Sequence, residues 1–283
     1  MAALRGLELF PAVHLAPGFA LRAAAFARAV GRRAAAFETA GRARALAAGD
    51  DLHGLRAYRA GDDPRAIDWT ASARAEAPLV RVLRAARGGR TAIVLDASLS
   101  MAVGPPGKLQ AAAEAALALA CVAARAGARV ELVVLPQGDR HALARVEQFP
   151  GLVARLAGLA ARGALTPGRG TVPRCDRAVW IGDLAGLSAE ELARAAPRGA
   201  AFAVLQVLAP HELAPRLAGP AVLVDPESGA SLVAGPDDVP RHAAALERQR
   251  VSLARALSRR RARFARAASD EPFETACTRL LGP

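Results

Sequence analysis

The sequence predicts an α/β fold in which helices cover both faces of a mostly parallel β-sheet. Short apolar runs, typical of strands buried on both faces, alternate along the middle of the chain with stretches of helical periodicity. Alternation of this kind joins parallel strands through crossover helices, which pack on the two faces of the sheet. A chain of 283 residues is long enough to bury a substantial core in one large domain or two modest ones.

Five apolar runs are predicted to be strands, with three helices between them. The first helix is expected over residues 108–126 and ends before Gly127, at a position that favours a left-handed conformation. The second is expected to end at Gly163, and the third begins at a capping box formed by Ser188 and Glu191. The strands are expected at residues 91–95, 129–135, 178–181, 201–208 and 221–224.

The two flanks predict a small second domain built from both ends of the chain. Residues 1–87 are expected to hold alanine- and arginine-rich helices followed by a turn-rich segment with short strands. Residues 88–224 form the expected central domain, and residues 225–283 a helical segment that packs with the N-terminal part. Within that segment, a basic helix with one apolar stripe is expected over residues 241–267 and a last helix over residues 271–281.

Composition argues against a membrane protein or a secreted protein and leaves nucleic-acid binding open. The net charge of +12 invites nucleic-acid binding, but Lys108 is the only lysine, and the arginine bias is typical of a GC-rich genome. No apolar run is long enough for a membrane span, and the first residues lack the pattern of a secretory signal. Cys121, Cys175 and Cys277 are far apart, which predicts reduced thiols and a cytoplasmic protein.

The most specific chemical pattern follows the strand at residues 91–95. Asp96, Ser98 and Ser100 stand at alternate positions, which directs one carboxylate and two hydroxyls the same way as the chain leaves the sheet. Hard oxygen ligands that leave room for water suit an octahedral Mg²⁺ ion. Asp183 ends another strand, and open parallel sheets bind ligands beyond the carboxyl ends of their strands. The sequence therefore predicts a magnesium site at this edge, with Asp183 acting directly or through water.

This combination of strand, Asp-x-Ser-x-Ser-Met loop, helix and later strand-end aspartate resembles the metal-ion-dependent adhesion site of von Willebrand factor A domains. The resemblance implies a Rossmann-like domain over residues 88–224 and a further hydroxyl ligand from a threonine. The best match to that threonine is Thr171, which follows Gly170, with Thr166 as the alternative. Gly182 stands where the family pattern has a serine before the second aspartate.

An upstream stretch narrows the resemblance. Residues 61–69 read Gly-Asp-Asp-Pro-Arg-x-Ile-Asp-Trp, and residues 225–229 read Asp-Pro-Glu-Ser-Gly. Together they resemble the bacterial domain-of-unknown-function-58 family over roughly residues 49–283. The resemblance implies a partnership with a MoxR-type AAA+ ATPase in assembling or activating other protein complexes.

Arginines and aspartates are mixed through the stretch that carries this motif. Bidentate arginine–carboxylate pairs would brace a turn-rich segment, and direct contact with a partner is the alternative. The residues assigned to this network are Arg56, Tyr58, Arg59, Asp62, Asp63, Arg65, Asp68, Trp69 and Arg74.

The sequence predicts a metal-dependent protein-interaction module rather than an enzyme. The histidines are scattered, residues 104–108 lack the spacing of a phosphate loop, and no serine stands in a nucleophile elbow. A carboxylate from a partner would complete the metal shell. A metal-dependent hydrolase is one alternative and would need Asp139 or His141 beside the metal. A nucleic-acid-binding protein that uses the basic C-terminal helix is the other, although the scarcity of aromatic residues leaves no stacking platform.

Overall fold

A computed structural model describes most of the chain. Within the described residues, a six-stranded sheet carries helices on both faces, and two smaller sheets have two strands each. The predicted α/β fold with a mostly parallel sheet is therefore confirmed. No helix in the described ranges is both long and apolar enough to cross a lipid bilayer. The described residues are 12–31, 33, 52–59, 67–83, 89–104, 107–165, 171–195, 197 and 199–282.

The elements are numbered here in chain order. The strands are β1 (Leu52–Ala57), β2 (Leu79–Leu83), β3 (Arg90–Asp96), β4 (Arg129–Leu135), β5 (Asp139–Leu143), β6 (Arg177–Gly182), β7 (Ala201–Leu208), β8 (Ala221–Val224), β9 (Ser231–Ala234) and β10 (Arg263–Ala268). The described helices are α1 (Phe19–Ala29), α2 (Trp69–Ala75), α3 (Lys108–Arg125), α4 (Phe149–Leu156), α5 (Ala189–Ala195), α6 (Pro210–Leu213), α7 (Val239–Arg259) and α8 (Phe273–Leu281).

The central sheet has the strand order β10-β7-β6-β3-β4-β5. Its first five strands in that order run parallel, and β5 pairs antiparallel with β4 at the edge. The chain builds outward from β3 to β4 and β5, then returns to place β6 on the other side of β3. This reversal is the topological switch point of a doubly wound sheet, where a crevice opens beyond the carboxyl ends of the strands.

The two faces of the sheet carry separate apolar clusters. Alternate strand residues point to opposite faces, so Ile93 and Leu95 pack with α3, while Val94 and Trp180 pack with Leu253 of α7. Alanine is the main residue of α3, and the small side chains allow this buried helix to lie close to the sheet.

Helices from the two ends of the chain meet on the outer side of α3. The ring of Phe273 in α8 packs edge to face on Phe19 and Phe26 of α1, with centroids 5.4 and 5.8 Å apart. Arg22 Nη2 lies 2.8 Å from Glu274 Oε1 across the same contact. The C-terminal segment therefore contacts the N-terminal part through α8 and α1.

The predicted helix over residues 241–267 is wrong at its C-terminal end. The helix α7 ends at Arg259, Arg261 takes a left-handed conformation with φ of 53°, and β10 follows. In β10 the small residues Ala265 and Ala267 are buried, while Arg266 between them extends its guanidinium to Gln206, with Nε 2.9 Å from Oε1. The strand carries Arg263 and Arg266, three residues apart, and so continues the composition and spacing of the preceding helix, which hid the change of period. The central sheet thus takes its sixth strand from beyond residue 224.

Candidate metal centre

Asp96 and Asp183 leave the sheet at the same edge, as predicted. Asp96 is the last residue of β3, and Asp183 follows the last residue of β6. The two strands pair in parallel with Leu95 opposite Ile181, so their carboxyl ends meet. The pair of aspartates therefore flanks the switch point of the sheet.

The Asp96 side chain organises the loop that follows β3. Its Oδ1 accepts hydrogen bonds from the Ser98 backbone N–H at 2.9 Å and from Ser98 Oγ at 2.7 Å. Ser98 Oγ lies 3.0 Å from Ser100 Oγ. An aspartate that bonds to the backbone two residues on forms an Asx turn. This turn gathers one carboxylate and two hydroxyls, as the alternate spacing predicts.

The second oxygen of Asp96 has no such partner. Asp96 is fully buried, and its Oδ2 accepts no hydrogen bond from any described residue. Burial, and after it the charge of Asp183, raises the pKa of Asp96 to about 7. A buried carboxylate oxygen without a donor or a cation is costly, since it has lost its water.

Gly182 makes room for this carboxylate. A Cβ at position 182 would lie 2.5 Å from Asp96 Cβ and 2.8 Å from Asp96 Oδ2, both too close. The serine that the family pattern has here would displace Asp96 from its present position. The glycine at position 182, where the family pattern has a serine, is therefore what allows Asp96 to take its buried position.

A buried lysine stands beside Asp183. Lys108 Nζ, at the start of α3, lies 2.7 Å from Asp183 Oδ2 and 2.6 Å from Glu212 Oε1. Burial lowers the pKa of Lys108, but Asp183 and Glu212 outweigh that effect and raise the pKa above its ordinary value. Asp183 Oδ1 also accepts the backbone N–H of Ala185 at 2.9 Å. Because both oxygens of Asp183 are engaged, a role through water fits these contacts better than direct ligation.

Glu227 reaches the same loop from a distant part of the chain. It lies in the turn between β8 and β9, which form a separate two-stranded hairpin. Its Oε1 accepts the backbone N–H of Ser100 at 3.3 Å, and its Oε2 accepts that of Leu165, also at 3.3 Å. The charge of Glu227 contributes to the raised pKa of Asp96, after burial and Asp183.

These residues fit a hard divalent cation. Asp183 and Glu212 both contact the ammonium group of Lys108, and the charges of Asp183 and Glu227 both act on Asp96. In the described part of the chain, no three His, Cys, Asp or Glu side chains form a metal-binding group by themselves. Hydroxyl oxygens and water would therefore complete the shell, which is ordinary for Mg²⁺. Asp96, Ser98 and Ser100 would hold the ion, and it would supply the cation that Asp96 Oδ2 lacks.

The threonine ligand stays a prediction. Thr166 lies outside the described residues. Thr171 is half-buried, and residues 173–175 line a groove with Thr91 and Ala92 at the amino end of β3. The chain after Thr171 therefore runs at the edge of the sheet opposite to Asp96.

The motif over residues 61–69 is described only at its end. Asp62, Asp63 and Arg65 lie outside the described residues, so the proposed ion-pair network among them stays a prediction. Asp68 caps α2, because its Oδ1 accepts the backbone N–H of Ala71 at 3.0 Å.

The neighbours of Asp68 lie on the surface. Trp69 is 70% exposed, Arg56, Arg59 and Arg74 are exposed as well, and Tyr58 is half-buried. The Tyr58 backbone N–H bonds to Pro78 O at 2.8 Å, alongside the β1–β2 pairing. The end of the motif contacts the same sheet, because the Asp68 backbone N–H bonds to Leu79 O at 2.9 Å, and it exposes an indole beside it.

Asp139 and His141 lie on β5, at the edge of the central sheet. The strand β4 separates them from β3, so their backbone is about 10 Å from that of β3. Three residues that sequence reasoning left without a role, Lys108, Glu212 and Glu227, are instead the ones at the site. Two signals in the sequence pointed to them: the single lysine of an arginine-rich chain, and the Asp-Pro-Glu-Ser-Gly stretch over residues 225–229, which contains Glu227.

The fold and the site define a class of protein: a doubly wound α/β protein with a carboxylate–hydroxyl cluster at its switch point. The family model described as "Protein of unknown function DUF58" matches residues 54–252. The chain belongs to this DUF58 family. No curated protein and no solved structure matches the chain significantly.

Proposed function

We propose that the chain is a metal-dependent protein-interaction module of the von Willebrand factor A type. Mg²⁺ would be held by Asp96, Ser98 and Ser100, with Asp183 acting through water. The strand order supports this interpretation, since the site lies at the switch point where doubly wound sheets bind ligands. The loop hydroxyls also support it, because Ser98 Oγ bonds to Asp96 Oδ1 and Ser100 Oγ lies 3.0 Å from Ser98 Oγ, which places both hydroxyls beside the carboxylate.

One observation carries the proposal: the buried Oδ2 of Asp96 lacks a hydrogen-bond donor. Buried polar atoms in native proteins nearly always have a partner, and a cation held beside the two loop hydroxyls would supply the one that Asp96 Oδ2 lacks. The two hydroxyls of Ser98 and Ser100 lie on the same loop and supply further hard ligands. The charge of the surrounding carboxylates favours a divalent ion over water alone.

The proposed role is that of an adaptor that works with a MoxR-type AAA+ ATPase in assembling or activating protein complexes. Membership of the DUF58 family supports this role through the resemblance described above. A carboxylate of the partner would complete the metal shell, which makes the contact dependent on the ion. The proposed role is non-enzymatic, which the bonding of the loop supports, because Ser98 Oγ donates to Asp96 Oδ1 and Ser100 Oγ contacts Ser98 Oγ rather than a histidine base.

The experiment measures binding between the purified chain and a purified MoxR-type ATPase from the same genome, at constant millimolar Mg²⁺. Asp96→Ala removes the central metal ligand of this chain and leaves the magnesium of the ATPase untouched. Asp237→Ala removes an exposed carboxylate and is the matched control. We expect wild type and Asp237→Ala to bind equally and Asp96→Ala to lose binding at least tenfold. Equal binding by all three proteins would contradict the proposal.

A further inference from the structure

We propose that Glu227 is this chain's own ligand for the metal centre, and that it occupies the position a partner's carboxylate must take. The inference rests on the proposed metal-binding function and adds a regulation to it. In the metal-bound protein the Glu227 carboxylate would fill the coordination position that the Asp96 loop leaves open. A partner would then bind by exchange of one carboxylate for another.

The turn that carries Glu227 is built to present it. Asp225 Oδ1 accepts the Glu227 backbone N–H at 3.0 Å, and Asp225 O accepts that of Gly229 at 2.9 Å. The hydrogen bonds from Ser228 and from the Glu227 backbone lower the pKa of Asp225, so this acid stays ionised and holds the turn. The Glu227 side chain takes no part in that turn and is directed at the metal loop instead.

Two backbone N–H groups make a seat for a carboxylate beside the metal loop. One belongs to Ser100, a predicted ligand, and the other to Leu165, in the segment where Arg162 N bonds to Ala97 O. Both bonds to Glu227 are 3.3 Å long, against the usual 2.9–3.0 Å, and are therefore weak. Any carboxylate that replaced Glu227 would find the same two donors. The two donors are thus specific for a carboxylate, and they bind the carboxylate of Glu227 only weakly.

Little apolar packing holds the hairpin down. Val222 and Leu223 are 50% and 48% exposed, and Leu232 and Val233 are both 67% exposed. Adjacent residues of a strand point to opposite faces, so both faces of the hairpin meet solvent. Segments with few buried contacts open at a low cost in free energy. The hairpin can therefore release the site without unfolding the core.

An intramolecular carboxylate competes strongly with free ones. A group on a short tether acts at an effective concentration of about millimolar, so a weak acidic ligand in solution would not displace it. A partner that binds through its carboxylate must therefore gain further contacts. The tethered Glu227 carboxylate therefore makes the metal centre selective against small acids.

The experiment is calorimetric titration with Mg²⁺ alone, with and without acetate at about 100 mM, well above the effective concentration of the tethered group. Glu227→Ala empties the seat, Glu227→Gln keeps its size, and Asp237→Ala is the control with an exposed acid beyond the same hairpin. We expect both Glu227 variants to bind Mg²⁺ about tenfold more weakly or worse, as for other groups that support a metal. Acetate should restore the Mg²⁺ affinity of Glu227→Ala. The Mg²⁺ affinity of Glu227→Gln should stay low, because its amide still fills the seat. Acetate should not raise the Mg²⁺ affinity of wild type or of Asp237→Ala.

A second readout is hydrogen exchange of the hairpin amides, residues 221–234. Mg²⁺ should slow their exchange in wild type and leave it unchanged in Glu227→Ala. If wild type binds Mg²⁺ and both Glu227 variants bind it equally well, the inference is wrong and the proposed function stands. If wild type binds no Mg²⁺, both are wrong.

Discussion

Replacing Lys108 by methionine removes the ammonium group from the candidate metal centre. Lys108 and Asp183 are each 2% exposed in their side chains, and Nζ lies 2.7 Å from Asp183 Oδ2. Glu212 is 26% exposed and keeps its bond to the backbone N–H of Ala209, so water can replace its lost partner. Asp183 keeps its bond from the Ala185 backbone N–H, but it is buried, so water cannot replace the lost ammonium group at its Oδ2. Breaking a buried pair by removing one partner costs about 3–5 kcal/mol, which corresponds to a fall of about 10 °C in melting temperature.

Urea and thermal unfolding, followed in chelator and in millimolar Mg²⁺, test this prediction. The control is Arg194→Met, which removes a cation 3.9 Å from Glu190 in a pair that is 63% and 89% exposed. Its cost should be at most about 0.5 kcal/mol. Mg²⁺ should also stabilise Lys108→Met more than wild type, because the variant leaves more negative charge at the site. A loss below about 1 kcal/mol, or a loss that Mg²⁺ does not reduce, would refute the electrostatic argument.

Three further predictions concern the metal loop. Millimolar Mg²⁺ should raise the melting temperature slightly, and Ser98→Ala should abolish the rise while Thr171→Ala has a smaller effect. Gly182→Ala places a Cβ 2.5 Å from Asp96 Cβ, so it should cost about 1–3 kcal/mol and remove Mg²⁺ binding, whereas Gly219→Ala, with open space around it, should do neither. Burial raises the pKa of Asp96 from its ordinary value of 3.8 to about 7, so in chelator the folded state keeps a proton over this range that the unfolded state has lost. Stability should therefore fall as pH rises between these two values, and Asp96→Asn, studied by urea unfolding at several pH values, should lack this part of the fall.

The sequence predicts the centre of the fold well because both faces of the sheet are covered. The strands over residues 129–135 and 201–208 match β4 and β7, and the capping box at Ser188 forms as expected, with Glu191 Oε2 accepting the Ser188 backbone N–H at 2.9 Å. Strands at or beyond the edge were missed. Polar residues interrupt both strands, at Asp139–His141 in β5 and at Arg263 and Arg266 in β10, so neither carries the continuous apolar run that marks a buried parallel strand.

The residues of the candidate site likewise fall into those that the sequence predicts and those that it does not. Asp96, Ser98 and Ser100 belong to one short loop, so their spacing alone predicts that they converge. Lys108, Glu212 and Glu227 come from a helix start, a short helix and a hairpin turn, and only the packing of the chain brings them to the rim. Their roles depend on distances between segments, which a single sequence does not contain.

The two buried aspartates should behave as one electrostatic unit, and a double-mutant cycle tests whether they do. The charge of Asp183 raises the pKa of Asp96, so each carboxylate is less stable while the other is ionised. In Lys108→Met, Asp183 loses its nearest cation and its repulsion with Asp96 is no longer offset. Adding Asp96→Asn removes that repulsion, so in chelator the double variant should be more stable than the two single effects predict, by about 1 kcal/mol. Additivity within about 0.5 kcal/mol would mean that the carboxylates act independently, and one divalent cation would then gain nothing from their proximity.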